Sequence, residues 1–211
     1  MPHFKNALVS VSDKTGLVEF IKTLSATGTR IVSTGGTAKI LRQAGIPVVQ
    51  VSDQTGFPEV MDGRVKTLHP KIHMALLSRF LHQQDQAVLK EYGIEEFDLV
   101  VGNLYPFEAE PEIENIDIGG PSFLRAAAKN HERITVVCDP ADYKNILEMV
   151  GSASDKEIAG LSDLKAFRIE LAAKVFAHTS AYDSMIANWM ASQVSDRFTF
   201  QNELTKAGRF H

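Results

Sequence analysis

Between Gly63 and His73 the chain reads GRVKTLHPKIH, which puts Arg64, Lys66, Lys71, His69 and His73 into one short stretch of a protein whose formal net charge is −4. So dense a cationic cluster calls for an anion. Two further segments are built to receive one: VSDKTG, from Val11 to Gly16, and STGGTA, from Ser33 to Ala38. Each follows an apolar, strand-like run and opens a helical pattern. In the first, Ser12 and Asp13 fall at a predicted helix N-cap, Thr15 and Gly16 begin the first turn, and Lys14 supplies an ammonium. A helix start offers unpaired N–H donors and a partial positive charge, so a phosphate can settle there. Ser12 or Asp13 could equally do no more than cap the helix. In the second, Gly35 and Gly36 let backbone N–H groups approach a ligand, while Thr34 and Thr37 add hydroxyls. Together the three segments point to a phosphate-bearing small molecule.

The spacing of His69 and His73 would suit a metal on a helix. Pro70 lies between them, however, and the Glu of an HExxH pattern is missing, so no metal is expected. Arg64 and Lys66 read as binding or electrophilic groups, because alternate residues of an extended loop face one pocket. The alternative is a solvated basic loop. Further on, GNLYPF ends an apolar run with Gly102, Asn103 and Tyr105, where an open α/β sheet presents its ligand site. Asp117-Ile118-Gly119-Gly120-Pro121 leads into a helix with Pro121 suited to its first position. Asp117 is then a cap or a site carboxylate. Lys129 is a helix C-terminal cation or a second site lysine, and Cys138 reads as a buried structural thiol.

These residues need a frame. A chain of 211 residues, 44% hydrophobic and 23% charged, suits one compact α/β domain and lacks the basic excess of a nucleic-acid binder. No apolar run approaches a bilayer span and the start does not fit a signal peptide. The expectation is therefore a cytoplasmic protein without membrane or nucleic-acid partners. A single cysteine excludes an internal disulfide and any cysteine-cluster metal site. Ala7 to Val11, Arg30 to Ser33, Val48 to Val51, Leu99 to Leu104 and Ile134 to Cys138 read as strands. Leu17, Phe20, Ile21 and Leu24 mark one helix face, and Ala38, Leu41 and Arg42 a second helix that stops at Ala44 and Gly45. The βα alternation predicts a doubly wound, mainly parallel sheet flanked by helices, with ligands at the carboxyl ends of the strands. From Asp155 to Met190 the pattern is almost wholly helical, with an apolar stripe of Leu164, Phe167, Leu171, Val175, Phe176, Ile186 and Trp189 that reads as core or dimer interface. We expect one domain over residues 1–194 and a C-terminal tail, 195–211, without an assigned role.

The segments SVSDKTGL, STGGTAKIL, TGFPE, GRVKTLHPKIH, NLYPF, DIGGPSFLRAAAKNH and FAHTSAYD occur in one order from about Ala7 to Tyr182. In this the chain resembles the IMP cyclohydrolase module of the bifunctional purine-biosynthesis enzyme that also carries AICAR transformylase. The resemblance implies a methylglyoxal-synthase-like fold and closure of the second purine ring, in which formyl-AICAR (FAICAR) loses water to give inosine monophosphate (IMP). It implies neither metal nor cofactor, and a homodimer. Carried over by motif, the binding stretches are Ser12, Asp13 and Lys14; Thr34, Gly35, Gly36 and Thr37; and Arg64, Val65, Lys66 and Thr67. Gly102, Asn103, Asp117 and Ile118 would meet the base. Lys129 matches the proton-transfer lysine, and Lys66, Tyr105 and Asp117 match groups that orient or polarise the reacting formyl and carboxamide.

The transformylase half has no counterpart here, and the tail lacks a clear match to the RYGxNPHQ-type opening of that half. The expectation is cyclohydrolase activity without transformylase activity, with formyl-AICAR supplied by a separate AICAR transformylase or by the longer protein from which this chain is cut. Two other readings of the same fold are a methylglyoxal synthase-type lyase and a non-catalytic, nucleotide-binding regulatory module. The lyase explains STGGTA but neither NLYPF nor DIGG. Retention of Lys66, Tyr105, Asp117 and Lys129 together argues against the regulatory module.

Overall fold

The computed structural model describes residues 4–151 and 161–194. Five short strands, β1 (Asn6–Ser10), β2 (Arg30–Ser33), β3 (Val48–Gln50), β4 (Leu99–Gly102) and β5 (Thr135–Val137), form one sheet in the order β3-β2-β1-β4-β5. Every pairing is parallel, as the βα alternation predicts. The strands stop short of the predicted ends where the chain turns early. Val51, assigned to the third strand from sequence, instead starts a helix whose first turn is closed reciprocally by Gln50 and Asp53.

The helices are α1 (Leu17–Ala26), α2 (Gly35–Gln43), α3 (Val51–Thr55), α4 (Pro70–Leu77), α5 (Gln83–Glu91), α6 (Gly119–Lys129), α7 (Tyr143–Gly151) and α8 (Leu161–Ser192). They cover both faces of the sheet. Because side chains alternate along a strand, Leu8, Val32, Val100 and Val136 join a core with α4, α6 and part of α8. Ala7, Val9, Ile31, Leu99, Val101 and Val137 join a second core with α1, α2 and α7. The predicted face of α1 is fully inside: Leu17, Phe20, Ile21 and Leu24 are all buried. The long helix α8 serves both cores, with Leu171 in one and Val175 in the other. Phe176, read as part of the same stripe, instead lies exposed beneath the guanidinium of Arg125. The first six residues of the predicted helix, 155–160, and the tail 195–211 lie outside the described residues.

At the amino end of the sheet a single side chain ties three elements together. Arg133, buried, donates from Nη1 to the carbonyl of Phe97 (2.6 Å) and from Nη2 to those of Ala75 (2.8 Å) and Leu76 (3.3 Å). Its Nε reaches the carbonyl of Ser78 at 3.3 Å. Asn130 adds bonds to the carbonyls of Leu76 (2.7 Å) and Ser78 (2.9 Å). The last carbonyls of α4, which have no acceptor role within the helix, are thereby satisfied. Burial pushes the Arg133 guanidinium below its usual pKa, opposed by the charges of Glu96 and Asp98.

Candidate active site

Because all strands are parallel, the loops after β1, β2 and β4 leave the sheet at one edge. They are held together by side-chain to backbone bonds across the edge. Asn103, just beyond β4, accepts from the backbone N–H of Ser12 (2.7 Å) and Asp13 (2.9 Å) through Oδ1 and returns a bond from Nδ2 to the Asp13 carbonyl (3.0 Å). Ser10 and Thr34 share a hydroxyl bond of 2.8 Å. Thr37 Oγ1 donates to the Val11 carbonyl at 3.1 Å and accepts from the Val11 N–H at 3.3 Å.

These bonds change the reading of the first motif. Helix α1 begins at Leu17 behind Gly16, whose φ of 66° is left-handed, so Ser12 and Asp13 do not cap it. The Asp13 carboxylate turns to Thr15, accepting from its N–H and its hydroxyl, and those bonds hold it below the usual carboxylate range. Lys14 folds back onto the Ser12 carbonyl at 3.0 Å. The anion-binding helix start is the second one, where Thr34 precedes the glycines of α2 and no side chain caps the first turn.

The basic segment is not extended, as alternate-residue spacing had suggested. Residues 61–67 form a succession of tight turns, with Gly63 N–H donating to Val60 O, Arg64 N–H to Met61 O and Lys66 N–H to Gly63 O. Pro70, read as a helix breaker between the histidines, stands at the first position of α4, where its missing N–H costs nothing. His69 caps that helix, its Nδ1 accepting from the Lys71 N–H at 3.1 Å, and His73 Nε2 pairs with the Ser122 hydroxyl at 3.1 Å.

An open cavity of about 740 Å³ lies over this edge, in the size range of small-molecule sites. Ser12, Thr34, Arg64, Lys66, Thr67, Asn103, Tyr105, Asp117 and Ile118 all line it. Arg64 pairs with Glu114, and Lys66 Nζ lies 2.9 Å from Glu59 Oε1. The Tyr105 hydroxyl donates to Glu110 at 3.4 Å, and the Glu110 charge raises the phenol pKa. Asp117 Oδ1 accepts from the Gly120 N–H at 2.9 Å, closing the first turn of α6, and its carboxylate also faces the cavity. Glycines permit this close packing: a Cβ on Gly119 would stand 2.6 Å from Thr67 Oγ1, and one on Gly120 would collide with the Asp117 carboxylate.

Other predicted site residues sit elsewhere. Gly35 and Val65 line a second, smaller cavity of about 20 Å³ that shares Thr34 and Lys66 with the large one. Asp13, Lys14, Gly36 and Thr37 are absent from both walls, and Thr37 is used in the tie to Val11. Gly102 lies beneath the ring of Phe123, where a Cβ would come within 2.6 Å. Lys129 is the last of the 11 residues of α6, about 15 Å from its first turn at 1.5 Å per residue. It is exposed and outside the cavity wall. The structure therefore does not bring Lys129 to Lys66.

Two residues of α8 position the site and were not singled out from sequence, although both lie in FAHTSAYD. Tyr182, 2% exposed, accepts from the Asp117 N–H at 2.7 Å and donates to the Asn115 carbonyl at 3.2 Å. One turn earlier, His178 Nε2 accepts from the Leu104 N–H at 3.3 Å. Only an unprotonated Nε2 can accept, and burial pushes the His178 pKa down, opposed by Asp139. In the unfolded chain an ordinary histidine takes up a proton near pH 6.5, so there the unfolded state binds more protons and stability falls as the pH drops. Denaturation midpoints at pH 7.5 and 5.5 should therefore fall further for the wild type than for His178→Gln, which does not titrate. Equal losses would remove His178 as the cause.

A five-stranded parallel sheet with this helical wrapping and a site at its carboxyl edge defines the class: the chain belongs to the MGS-like domain family, whose model matches residues 16–131. A second model, the AICARFT/IMPCHase bienzyme, matches residues 127–210. Over 201 residues, 91% of this chain, it is 49% identical to the bifunctional purine biosynthesis protein PurH of Ruminiclostridium cellulolyticum. Identity to the PurH proteins of Magnetococcus marinus and Bacillus subtilis is 51% and 50%, over 91% and 92% of the chain. The chain spans 37–38% of the length of these relatives. Among solved structures, that of ForH superposes with a TM-score of 0.77 at 34% identity, covering 89% of this chain and 99% of ForH. Among the described residues no helix is long and apolar enough to cross a membrane.

Proposed function

We propose that the chain is an IMP cyclohydrolase, closing formyl-AICAR to IMP with loss of water, and that the transformylase step belongs to another polypeptide or to the rest of a longer one. The observation that carries this reading is the convergence of Lys66, Tyr105 and Asp117 with Arg64, Thr67 and Asn103 on one cavity of nucleotide size. The PurH relatives and the bienzyme model support it.

In the reaction the carboxamide nitrogen forms a bond to the formyl carbon and gives up a proton, while the formyl oxygen gains one. The carbinolamine then loses that hydroxyl and a second nitrogen proton as water, leaving the ring C=N. The site must hold the phosphate, align two flexible substituents, stabilise charge on the formyl oxygen and move protons. Thr34 and the uncapped start of α2 suit the phosphate. Lys66, an ammonium at the same wall, suits the developing oxyanion, and Asp117 suits the amide proton. Tyr105 and Asn103 border the base. Lys129 has no route into this cavity from its own chain, so here the proton-transfer role assigned to it by resemblance rests on Asp117. The homodimer belongs to the same reading, and exposed Ile113, Ile118 and Met190 at the cavity supply apolar surface for it.

The test is the ultraviolet change on mixing formyl-AICAR with the protein, against buffer and Lys66→Ala, with the mass in solution read by light scattering. We expect acceleration over buffer and a loss of about 10²–10³-fold in Lys66→Ala, the usual effect of deleting one oxyanion donor. Tight IMP binding without acceleration would make the chain a nucleotide-binding regulatory module instead.

A further inference from the structure

Glu59 is the one acidic side chain lining the small cavity, and it reaches the lysine shared by both cavities. Its Oε1 lies 2.9 Å from Lys66 Nζ. The pair is packed against glycine on two sides. Lys66 Nζ is 3.0 Å from where a Cβ on Gly35 would stand, at the start of α2, and Gly63 has no room for a Cβ beside Lys66 Cε and Glu59 Oε1. Gly63 also has a φ of 81°, a left-handed backbone that favours glycine. Backbone on both sides thus leaves the ammonium one narrow place, beside the α2 N-terminus and against Glu59. The two side chains remain 30% and 47% exposed, and an ion pair so wet is weak and exchangeable.

From this geometry we infer that Glu59 is a positioning residue for Lys66: it parks the ammonium at the wall of the empty cavity and yields it to the anionic part of the ligand. The inference rests on the cyclohydrolase reading for what Lys66 then does, but the exchange of partners does not. Glu59 and an incoming anion compete for one cation, and like charges near one another oppose binding. Removing the carboxylate should therefore do two opposite things. The anion gains an uncontested lysine, while the lysine loses the contact that fixes its place, and small misplacements of a reacting group are costly in rate.

The experiment measures IMP affinity by calorimetry and formyl-AICAR closure by absorbance for wild type, Glu59→Gln and Glu59→Asp. For Glu59→Gln we expect IMP binding roughly three-fold tighter, the scale of a partly exposed ion pair, with turnover about ten-fold slower. Glu59→Asp, which keeps the charge one methylene further back, should recover part of the turnover. Mere structural damage would weaken binding and turnover together, and that result overturns the inference. So does unchanged IMP affinity with unchanged turnover. A wild type that binds IMP without closing the ring would overturn the cyclohydrolase reading, while tighter IMP binding by Glu59→Gln in that case would still support the exchange.

Discussion

Asp117→Asn is expected to lower turnover with formyl-AICAR by about 10²–10⁴-fold, the range for removal of a general acid or base, while leaving the fold and IMP binding nearly unchanged. The prediction is sharp because the two functions of the carboxylate separate at its two oxygens. Oδ1 accepts from the Gly120 N–H and closes the first turn of α6, and an asparagine oxygen can do the same. The Asp117 N–H stays bonded to the Tyr182 hydroxyl in either case. What asparagine lacks is the ability to take a proton from the carboxamide. Stopped-flow absorbance beside calorimetric IMP titration checks this, and turnover within ten-fold of wild type would remove Asp117 as the proton acceptor. Asp117→Ala should additionally lose the turn closure, costing about 0.5–2 kcal/mol as other cap deletions do.

The largest effect on stability is expected far from the cavity. Arg133→Ala removes a buried guanidinium whose donors serve four backbone carbonyls and whose charge faces Glu96 at 3.6 Å. Deleting one partner of a buried charged network costs about 3–5 kcal/mol, because what remains is desolvated and unpaired. At about 2–4 °C per kcal/mol for a domain of this size, the thermal midpoint should fall by roughly 10 °C. Arg133→Lys should restore less than half of it, since one ammonium cannot reproduce a planar fork reaching several carbonyls. A loss under 0.5 kcal/mol by denaturant titration would show the network to be dispensable.

The sheet and its two cores were legible in the sequence because apolar, β-branched runs such as RIVS and LVVG bury every residue or nearly so, and that signal is local. So was the cluster of Arg64, Lys66, Thr67, Asn103, Tyr105 and Asp117, since each sits just beyond a strand or at a helix start. What was illegible is what long-range contacts decide. Nothing in SVSDKTGL announces that Asn103, some 90 residues on, takes the N–H groups of Ser12 and Asp13, which moved the start of α1 to Leu17. The tight turns of residues 61–67 escaped because positive φ at Met61, a residue that seldom adopts it, leaves no compositional trace. Lys129 was placed by motif alone, and the length of α6 puts it at the other end of the helix. His178 and Tyr182 were invisible as positioning groups because a helical His or Tyr on an apolar stripe looks like any other core residue.

The strand order carries a consequence for how the chain is made. The central strand β1 pairs on one side with β2, only 24 residues on (Asn6 with Arg30), but on the other with β4, 92 residues on (Ala7 with Leu99). During synthesis the half-sheet β3-β2-β1 can assemble first. Its inner edge then stays open until β4 has left the ribosome, about 50 residues and roughly 3–10 s later at ordinary elongation rates. That edge is the apolar run Ala7-Leu8-Val9, buried in the finished protein, and an open apolar strand is a template for another chain. The nascent protein is therefore most exposed to self-association after β3 is complete and before β4 arrives, an interval in which a chaperone that covers a sheet edge would matter most.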